Sequence, residues 1–415
     1  MQQKPKIIIF LYNRLFDPLI QSNFWLYIQD FLDNEETAYT FHLVTYENPK
    51  FPLSQEEKAL VEKWKIQGLE WTSLRWHQGS GLKEKFIDLF NGFRLVTRLR
   101  FQGFNHIMTL GSVAGTYAYM YAVVLRLKLF LYQFEPHSEY AVDNGMWYKE
   151  STQYKISHYL EKKSALYART IASGTVFMEE RIKNIWKSKA DFIRIPTVAN
   201  DKKFLFNQAL RDKTRKDLGL DDDTWLLYYP GKFGDLYYKE AFAWMYKWLK
   251  EEELRLHLLI VTPHSDDEVR DIFESASVLS KDYTIVHSSY EEIHKYHFAS
   301  DFAIISVPSG ESKKFISNIK VGEYLCAGLP FLITKGVSED YIYATEKDVG
   351  VVVDDFVKED IKKAWQEIKA YLERDKKALR EYCREVGLAY RGFEVLNVKF
   401  KIALDSLTNL KNFKE

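Results

Sequence analysis

The 415-residue chain has only two cysteines, Cys326 and Cys383, far apart in sequence. That excludes a disulfide framework and a cysteine-rich metal site, and it fits a reducing compartment. Net charge is also missing, because 58 lysines and arginines balance 58 aspartates and glutamates. No nucleic-acid partner is expected of such a chain. The balance shifts slightly along it, with 25 basic against 20 acidic residues in 1–200 and 33 against 38 in the remainder. Surpluses of this size are either ordinary solvated surface or a basic half that leans on an anionic membrane or acidic acceptor. There is no low-complexity tract. The start, MQQKPKIIIF, lacks the positive stretch, apolar core and cleavage site of a secretory signal. The expected location is the cytoplasm, with peripheral attachment to the inner face of the cytoplasmic membrane as the alternative. No membrane span is expected. The stretch 101–125 has no Asp, Glu, Lys or Arg, but Gln102, Gly103, Asn105, His106, Gly111 and Gly115 interrupt it, so it reads as a strand and a buried helix.

What the chain does contain is material for two domains. Its length exceeds what one core usually supports, and 46% hydrophobic with 16% aromatic residues is the composition of a folded protein. KIIIFLY (6–12) is an apolar run of strand length, and FHLVTYE, LEWTSLRW, FNHIMTL, KLFLYQF, TIASGT and FIRIP continue the series between helical patterns. Ser54-x-x-Glu57 announces one of those helices as a capping box. A second series begins at WLLYYP (225–230) and runs through LHLLIVTP, YTIVHSS, DFAIISVP, PFLITKG and GVVVDDF. Strands alternating with helices predict an α/β chain of two Rossmann-like, doubly wound parallel sheets. The polar stretch 199–223 reads as a linker and 358–414 as a helical tail. Domains are therefore expected at 1–198 and 199–385, with 386–415 packing back towards the first, and a site in a cleft at the carboxyl ends of both sheets.

The most specific stretch is SNIKVGEYLCAGLP (317–330), set between two strand patterns. With Ser317 or Asn318 as the cap, the first turn of this helix offers N–H groups and a partial positive charge to an anion such as a diphosphate. Lys320 adds a cation, and Glu323, about one turn on, is placed to accept hydrogen bonds from two ribose hydroxyls. An ordinary capped helix with an exposed lysine and glutamate fits the same letters.

Lys320, Glu323, Tyr324, Leu325, Ala327, Gly328 and Pro330 resemble the donor-binding signature of glycosyltransferase family 4, in which a lysine and the run Glu-Tyr-Leu-x-Ala-Gly-x-Pro lie on the helix that holds the nucleotide. Near the other end, YNRLFDPLIQS (12–22) is similar to the first loop of a bacterial polysaccharide-type subgroup, Tyr-Asn-x-Leu-x-x-Pro-x-x-Gln-Ser. The resemblance implies a GT-B architecture and a hexosyltransferase. Such an enzyme takes sugar from a nucleotide-sugar donor to a glycan or lipid-linked acceptor, with retention, in cell-surface polysaccharide synthesis. No metal or other cofactor is expected. On the acceptor side it points to Asn13, Arg14, Asp17, Gln21 and Ser22.

The same resemblance implies a diphosphate contact at Gly231 and Lys232 in YYPGKFGDLYYKE, with Lys239 as a second choice; a glycine there lets the backbone approach the phosphates. Tyr290, after YTIVHSS, either stacks on the base or packs in the core. In FEPHSEY, His137, Glu135 and Glu139 are candidates for orienting the acceptor hydroxyl or supporting charge on the sugar, since they follow a strand pattern directly. A structural histidine is the alternative for His137. The chain departs from the family at one point. Many retaining members carry two glutamates separated by seven residues, whereas the residue eight before Glu323 is Phe315, and Glu311 lies twelve before it. That keeps open a non-catalytic nucleotide-sugar-binding or scaffold protein, beside an epimerase of the same fold that would use Glu135 or Glu139.

Other chemistry-bearing groups read as structural. Asp221-Asp222-Asp223 is a turn before a strand, and Asp266-Asp267-Glu268 is a helix start with Ser265 as cap, so neither is taken as a metal site. His294 and His297, with Glu291 and Glu292, lack the spacing of a zinc-protease helix and read as helix surface. KEKFIDLFNGFRLVTRLRF (83–101), with Arg94 and Arg98, is either an amphipathic helix packed on the sheet or the membrane-facing helix of a peripheral enzyme.

Overall fold

A computed structural model of the chain describes residues 4–34, 38–77, 82–133, 135–221 and 223–409; Phe134 and Asp222 lie outside these. The chain forms two compact units. The first comprises Met1–Thr197 with Leu396–Glu415, and the second is Val198–Val395. The second unit thus keeps the chain past the 386 boundary read from sequence.

Seven parallel strands make the sheet of the first unit: β1 Lys6–Phe10, β2 Thr40–Glu47, β3 Glu70–Arg75, β4 His106–Leu110, β5 Lys128–Gln133, β6 Thr170–Ser173 and β7 Asp191–Arg194, in the order β3-β2-β1-β4-β5-β6-β7. Helices cover both faces of such a sheet, which is why β1 and β4 are buried almost throughout while the edge strand β3 leaves Glu70, Ser73 and Arg75 exposed. Ser54 and Glu57 form the expected capping box of the helix Gln55–Ile66. The stretch 101–125 divides as read, into β4 and the helix Ser112–Leu125. The helical pattern after β5 is two helices, His137–Asp143 and Thr152–Tyr167, because Gly145 turns the chain between them at φ +68°. Late in the chain, the helix Phe393–Thr408 completes this unit from Leu396 onwards. Phe400 stacks on Tyr27 at 4.3 Å between centroids and meets Phe24 edge-on, Asn397 donates to Asp30, and Tyr39 donates to Asp405.

Six parallel strands make the second sheet: β8 Trp225–Pro230, β9 Leu256–Val261, β10 Tyr283–Val286, β11 Phe302–Ile304, β12 Phe331–Thr334 and β13 Gly350–Val353, in the order β10-β9-β8-β11-β12-β13. The stretch 199–223 is not a free linker. It carries the helix Gln208–Asp217, capped by Asn207, and its charges mislead because Arg211 and Arg215 point inwards. Their guanidinium groups donate to the carbonyls of Phe298, Ala299 and Ser300 at the end of the helix His294–Ala299, and both pair with Asp301.

One ion pair ties the end of this unit to its middle. Arg391, from the helix Lys376–Arg391, is fully buried and donates to the equally buried Asp340. Its other guanidinium nitrogen donates to Ser317 Oγ at 3.0 Å. Removing one partner of a buried pair strands the other charge, which costs about 3–5 kcal/mol. Arg391→Met should therefore lower the urea midpoint of the second unit by an amount equivalent to about 3–5 kcal/mol, followed by fluorescence. A loss under about 1 kcal/mol would show that the pair holds nothing together.

Candidate functional site

In the second sheet the strand order reverses between β8 and β11, the place where parallel α/β sheets open a crevice at their carboxyl ends. Gly231 is the first residue beyond β8, and its N–H donates to the carbonyl of Val261. A Cβ on Gly231 would stand 2.7 Å from the Lys320 ammonium and 3.0 Å from the Tyr229 hydroxyl. The glycine thus leaves room for a close approach, and the group approaching is a cation. Lys320 is held over the Tyr237 ring at 4.2 Å and near that of Tyr229 at 5.6 Å. The turn after Gly231 is pinned by the Tyr229 hydroxyl on the Lys232 carbonyl and by the Phe233 N–H on His264 Nε2. The Lys232 side chain itself is exposed, while Lys239 is exposed and pairs with Glu240 at 3.1 Å.

Lys320 belongs to the helix Ile319–Cys326, whose cap is Asn318; its side-chain oxygen accepts from the Lys320 N–H at 3.1 Å. Ser317 is buried beside it under Arg391. At the other end Gly328 takes the left-handed conformation, φ +79°, its N–H bonds to Leu325, and Leu329 bonds to Tyr324, a Schellman stop. Small residues on both helices seat this helix against the helix Lys376–Arg391. A Cβ on Gly322 would meet Arg391 at 3.1 Å, and one on Gly387 would meet the Cys326 backbone at 2.8 Å. Lys320 and Glu323 are the basic and acidic residues of the signature, while Tyr324, Leu325, Ala327 and Gly328 are buried in packing.

Glu323 is almost completely buried. Burial raises its carboxyl to about 7, against the lowering effects of Tyr290, Lys203 and Lys320. Tyr290 presents its hydroxyl to Glu323, close enough for each to shift the other's ionisation, yet that buried hydroxyl completes no well-formed hydrogen bond. Its ring face is taken by Lys203, whose ammonium lies 3.5 Å from the centroid and donates to the Tyr290 carbonyl. Base stacking on that face is thereby blocked. Lys203 gives no signal in the sequence, where it is one of several lysines in a polar stretch. His297, read as helix surface, is a core residue with no exposure; burial lowers its pKa to about 3, and Phe204, Tyr228 and Tyr324 surround its ring. Phe315 is buried on a short turn, and Glu311 is exposed near Lys314. A separate cavity of about 1340 Å³ opens at the far end of the Lys320 helix, beside Arg211, Arg380 and Arg384. Those arginines spend their donors on the carbonyls that end two helices, so the cavity is read as a by-product of helix capping.

In the first unit, most polar groups of the 12–22 loop fold the loop itself. Asn13 donates to Asp17, Asp17 accepts from Leu19, Gln21 donates to the Leu15 carbonyl, and Arg14 lies 3.7 and 3.9 Å from Glu47 and Glu57. Ser22 is buried in the π-helical turn Ile20–Phe24. The Glu135 carbonyl accepts from Ser112, and Glu139 pairs with Arg181 at 2.6 Å. Glu139, His158 and Glu161 gather three ligand-type atoms within 4.8 Å, with Arg181 already serving as their counter-charge. His137 is partly buried against Trp147, and burial, then Lys85, lowers its pKa. Sequence reasoning missed the group beside it. Buried Asp88 accepts from the Tyr12 hydroxyl at 2.5 Å and faces His77 Nδ1 at 2.6 Å, while Lys85 donates to Tyr12 at 3.2 Å.

No family model and no curated protein matches the chain. Solved structures do share its fold. A glycosyltransferase from Rickettsia africae is 12% identical with a TM-score of 0.69, covering 99% of this chain and 100% of that one. HepE from Anabaena in complex with UDP is 10% identical, with a TM-score of 0.66 and coverage of 97% and 100%. A putative UDP-N-acetylglucosamine 2-epimerase from Listeria monocytogenes is 14% identical, with a TM-score of 0.66 and coverage of 99% and 98%. The fold is GT-B, as the sequence implied, and at these identities the likeness is one of fold.

The position of Glu323 gives a pH test. Between pH 4.5 and about 7 the native state holds a proton that the unfolded state has released, so this group makes stability fall as pH rises through that window. Glu323→Gln should gain on the order of 2 kcal/mol over the wild type between about pH 5 and pH 8 in urea denaturation. Equal differences at both pH values would mean that Glu323 is not desolvated.

Proposed function

We propose that the chain is a glycosyltransferase that binds a nucleotide-sugar donor on its second unit and passes the sugar, with retention, to a glycan or lipid-linked acceptor of cell-surface polysaccharide synthesis. The observation that carries this reading is the approach of the Lys320 ammonium to Gly231 at the strand-order reversal, with buried Glu323 one turn along the same helix. HepE, which shares the fold, binds UDP.

In this reading the donor diphosphate lies between the Gly231 backbone and the capped helix start, and Glu323 holds the ribose. As the bond from sugar to diphosphate breaks, charge grows on the departing phosphate, and Lys320 with the helix N–H groups stabilises it there. The acceptor hydroxyl gives its proton to an oxygen of that phosphate as the new glycosidic bond forms on the same face. Calorimetry without metal against UDP-, GDP-, ADP- and dTDP-sugars tests the donor site. One nucleotide should bind, and Lys320→Ala and Glu323→Ala should each weaken it about tenfold or more, equivalent to about 1.4 kcal/mol. Binding of none overturns the reading. Conversion of the bound sugar to its epimer without acceptor would favour the epimerase instead.

The acceptor side carries a second expectation. The helix Leu82–Phe101 buries Asp88, Leu95, Val96 and Leu99 and turns Lys83, Phe86, Phe90, Arg94, Arg98 and Phe101 outwards, with Phe86 and Phe90 68% and 57% exposed. These positions fall on one stripe in which aromatic and cationic residues are interspersed, the composition that lies on an anionic bilayer. No helix among the described residues is long and apolar enough to cross a membrane. Vesicles with anionic lipid should sediment the wild type, and Phe86→Ser with Phe90→Ser should abolish it at unchanged thermal midpoint. Equal sedimentation of both proteins would assign the stripe to solvent.

A further inference from the structure

Lys203 is an oddly placed cation. It is half-buried, and its ammonium is within range of Glu291, Glu323 and Glu292 without forming an ion pair to any carboxylate among the described residues. Its backbone is fixed. The Lys203 N–H donates to Asn200, Arg384 donates to the carbonyls of Asp201 and Phe204 on either side, and the neighbouring Phe204 is fully buried. The side chain therefore rises from a clamped loop onto the Tyr290 ring. One of its three N–H donors goes to the Tyr290 carbonyl. The others meet no acceptor among the described residues, and next to them is the buried Tyr290 hydroxyl that lacks a full hydrogen bond. Half-buried donors on a fixed stretch of backbone are set for an acceptor that arrives with a ligand.

The direction in which that ligand must lie follows from the sheet. The phosphate end of the site is at β8 and β11, whereas Tyr290 follows β10, two strands away in the order β10-β9-β8. Two strand spacings are about 10 Å, the reach from a diphosphate across a ribose to a base. With the ribose on Glu323 between them, the base falls at Lys203. An ammonium donates and never accepts, so it favours base edges that carry a carbonyl oxygen, as in uracil, thymine or guanine. It opposes adenine, whose corresponding group is an amine that also donates.

We propose that Lys203 reads the nucleobase of the donor, accepting bases with an exposed carbonyl oxygen and rejecting adenine. This inference rests on the donor-site reading above. Calorimetry of the wild type, Lys203→Met and Lys203→Gln against UDP, dTDP, GDP and ADP tests it, with thermal midpoints confirming the fold. The wild type should bind at least one of UDP, dTDP or GDP about tenfold or more tighter than ADP. Lys203→Met should lose that preference to within about twofold, and Lys203→Gln, which keeps one donor, should retain part of it. Lys320→Ala separates the two ideas, because it should weaken every nucleotide alike and leave the ratio to ADP unchanged. A wild type that prefers ADP, or a Lys203→Met that keeps the wild-type ratio, overturns the role of Lys203 while the donor site stands. Binding of none of the four nucleotides overturns both.

Discussion

The second unit is organised around a charge taken completely out of water. Arg391 has no solvent exposure, so its guanidinium must be neutralised and its donors must be used within the protein. Asp340 supplies the charge and Ser317 an acceptor, and in meeting those needs the side chain fixes three separate stretches of chain to one another. One of the three is the turn that starts the Lys320 helix. Through its backbone Arg391 also ties the stretch after β7 to the same helix, because the Ala199 N–H donates to the Arg391 carbonyl. The candidate donor groups Lys320, Glu323 and Lys203 all depend on elements that this one residue holds.

Rigidity of this kind has a chemical use. A site that stabilises charge on a departing phosphate gains most when its cations and N–H groups do not have to reorganise as the charge appears. Lys320 shows the arrangement, with its ammonium confined by two aromatic rings and by a glycine that leaves it room. Glu323 shows the cost, since burial near two lysines still leaves its carboxyl far above the usual carboxylate range. Such a raised carboxyl is the kind of perturbed group found at ligand sites and in structural networks alike.

Most of the architecture could be read in advance, because buried parallel strands are continuous apolar runs and their helices begin with recognisable caps, as at Ser54 and Ser265. The positions of Gly231, Ser317, Asn318, Lys320 and Glu323 on the fold were legible for a related reason: each sits at a fixed offset from a strand end or helix start. The rest was hidden where letters mislead about burial. Arg211 and Arg215 look like linker charges and are interior capping groups; His297 looks like helix surface and is core. Lys203 and His77 gain their meaning from partners 87 and 11 residues away, which spacing along the chain does not reveal. In the loop 12–22 the letters do not show that most polar side chains serve the shape of the loop itself.

The helix Phe393–Thr408 also bears on how the protein is made. Aromatic side chains from the first forty residues and from β5 close around Phe400, so the oldest part of the nascent chain lacks a wall of its core until nearly all of the remainder has been synthesised. The intervening 198 residues are free to reach their native state first, as a contiguous unit. Translation that stalls late would leave a folded second half attached to an open first half, with Phe24, Tyr27 and Phe31 exposed to chaperones and proteases.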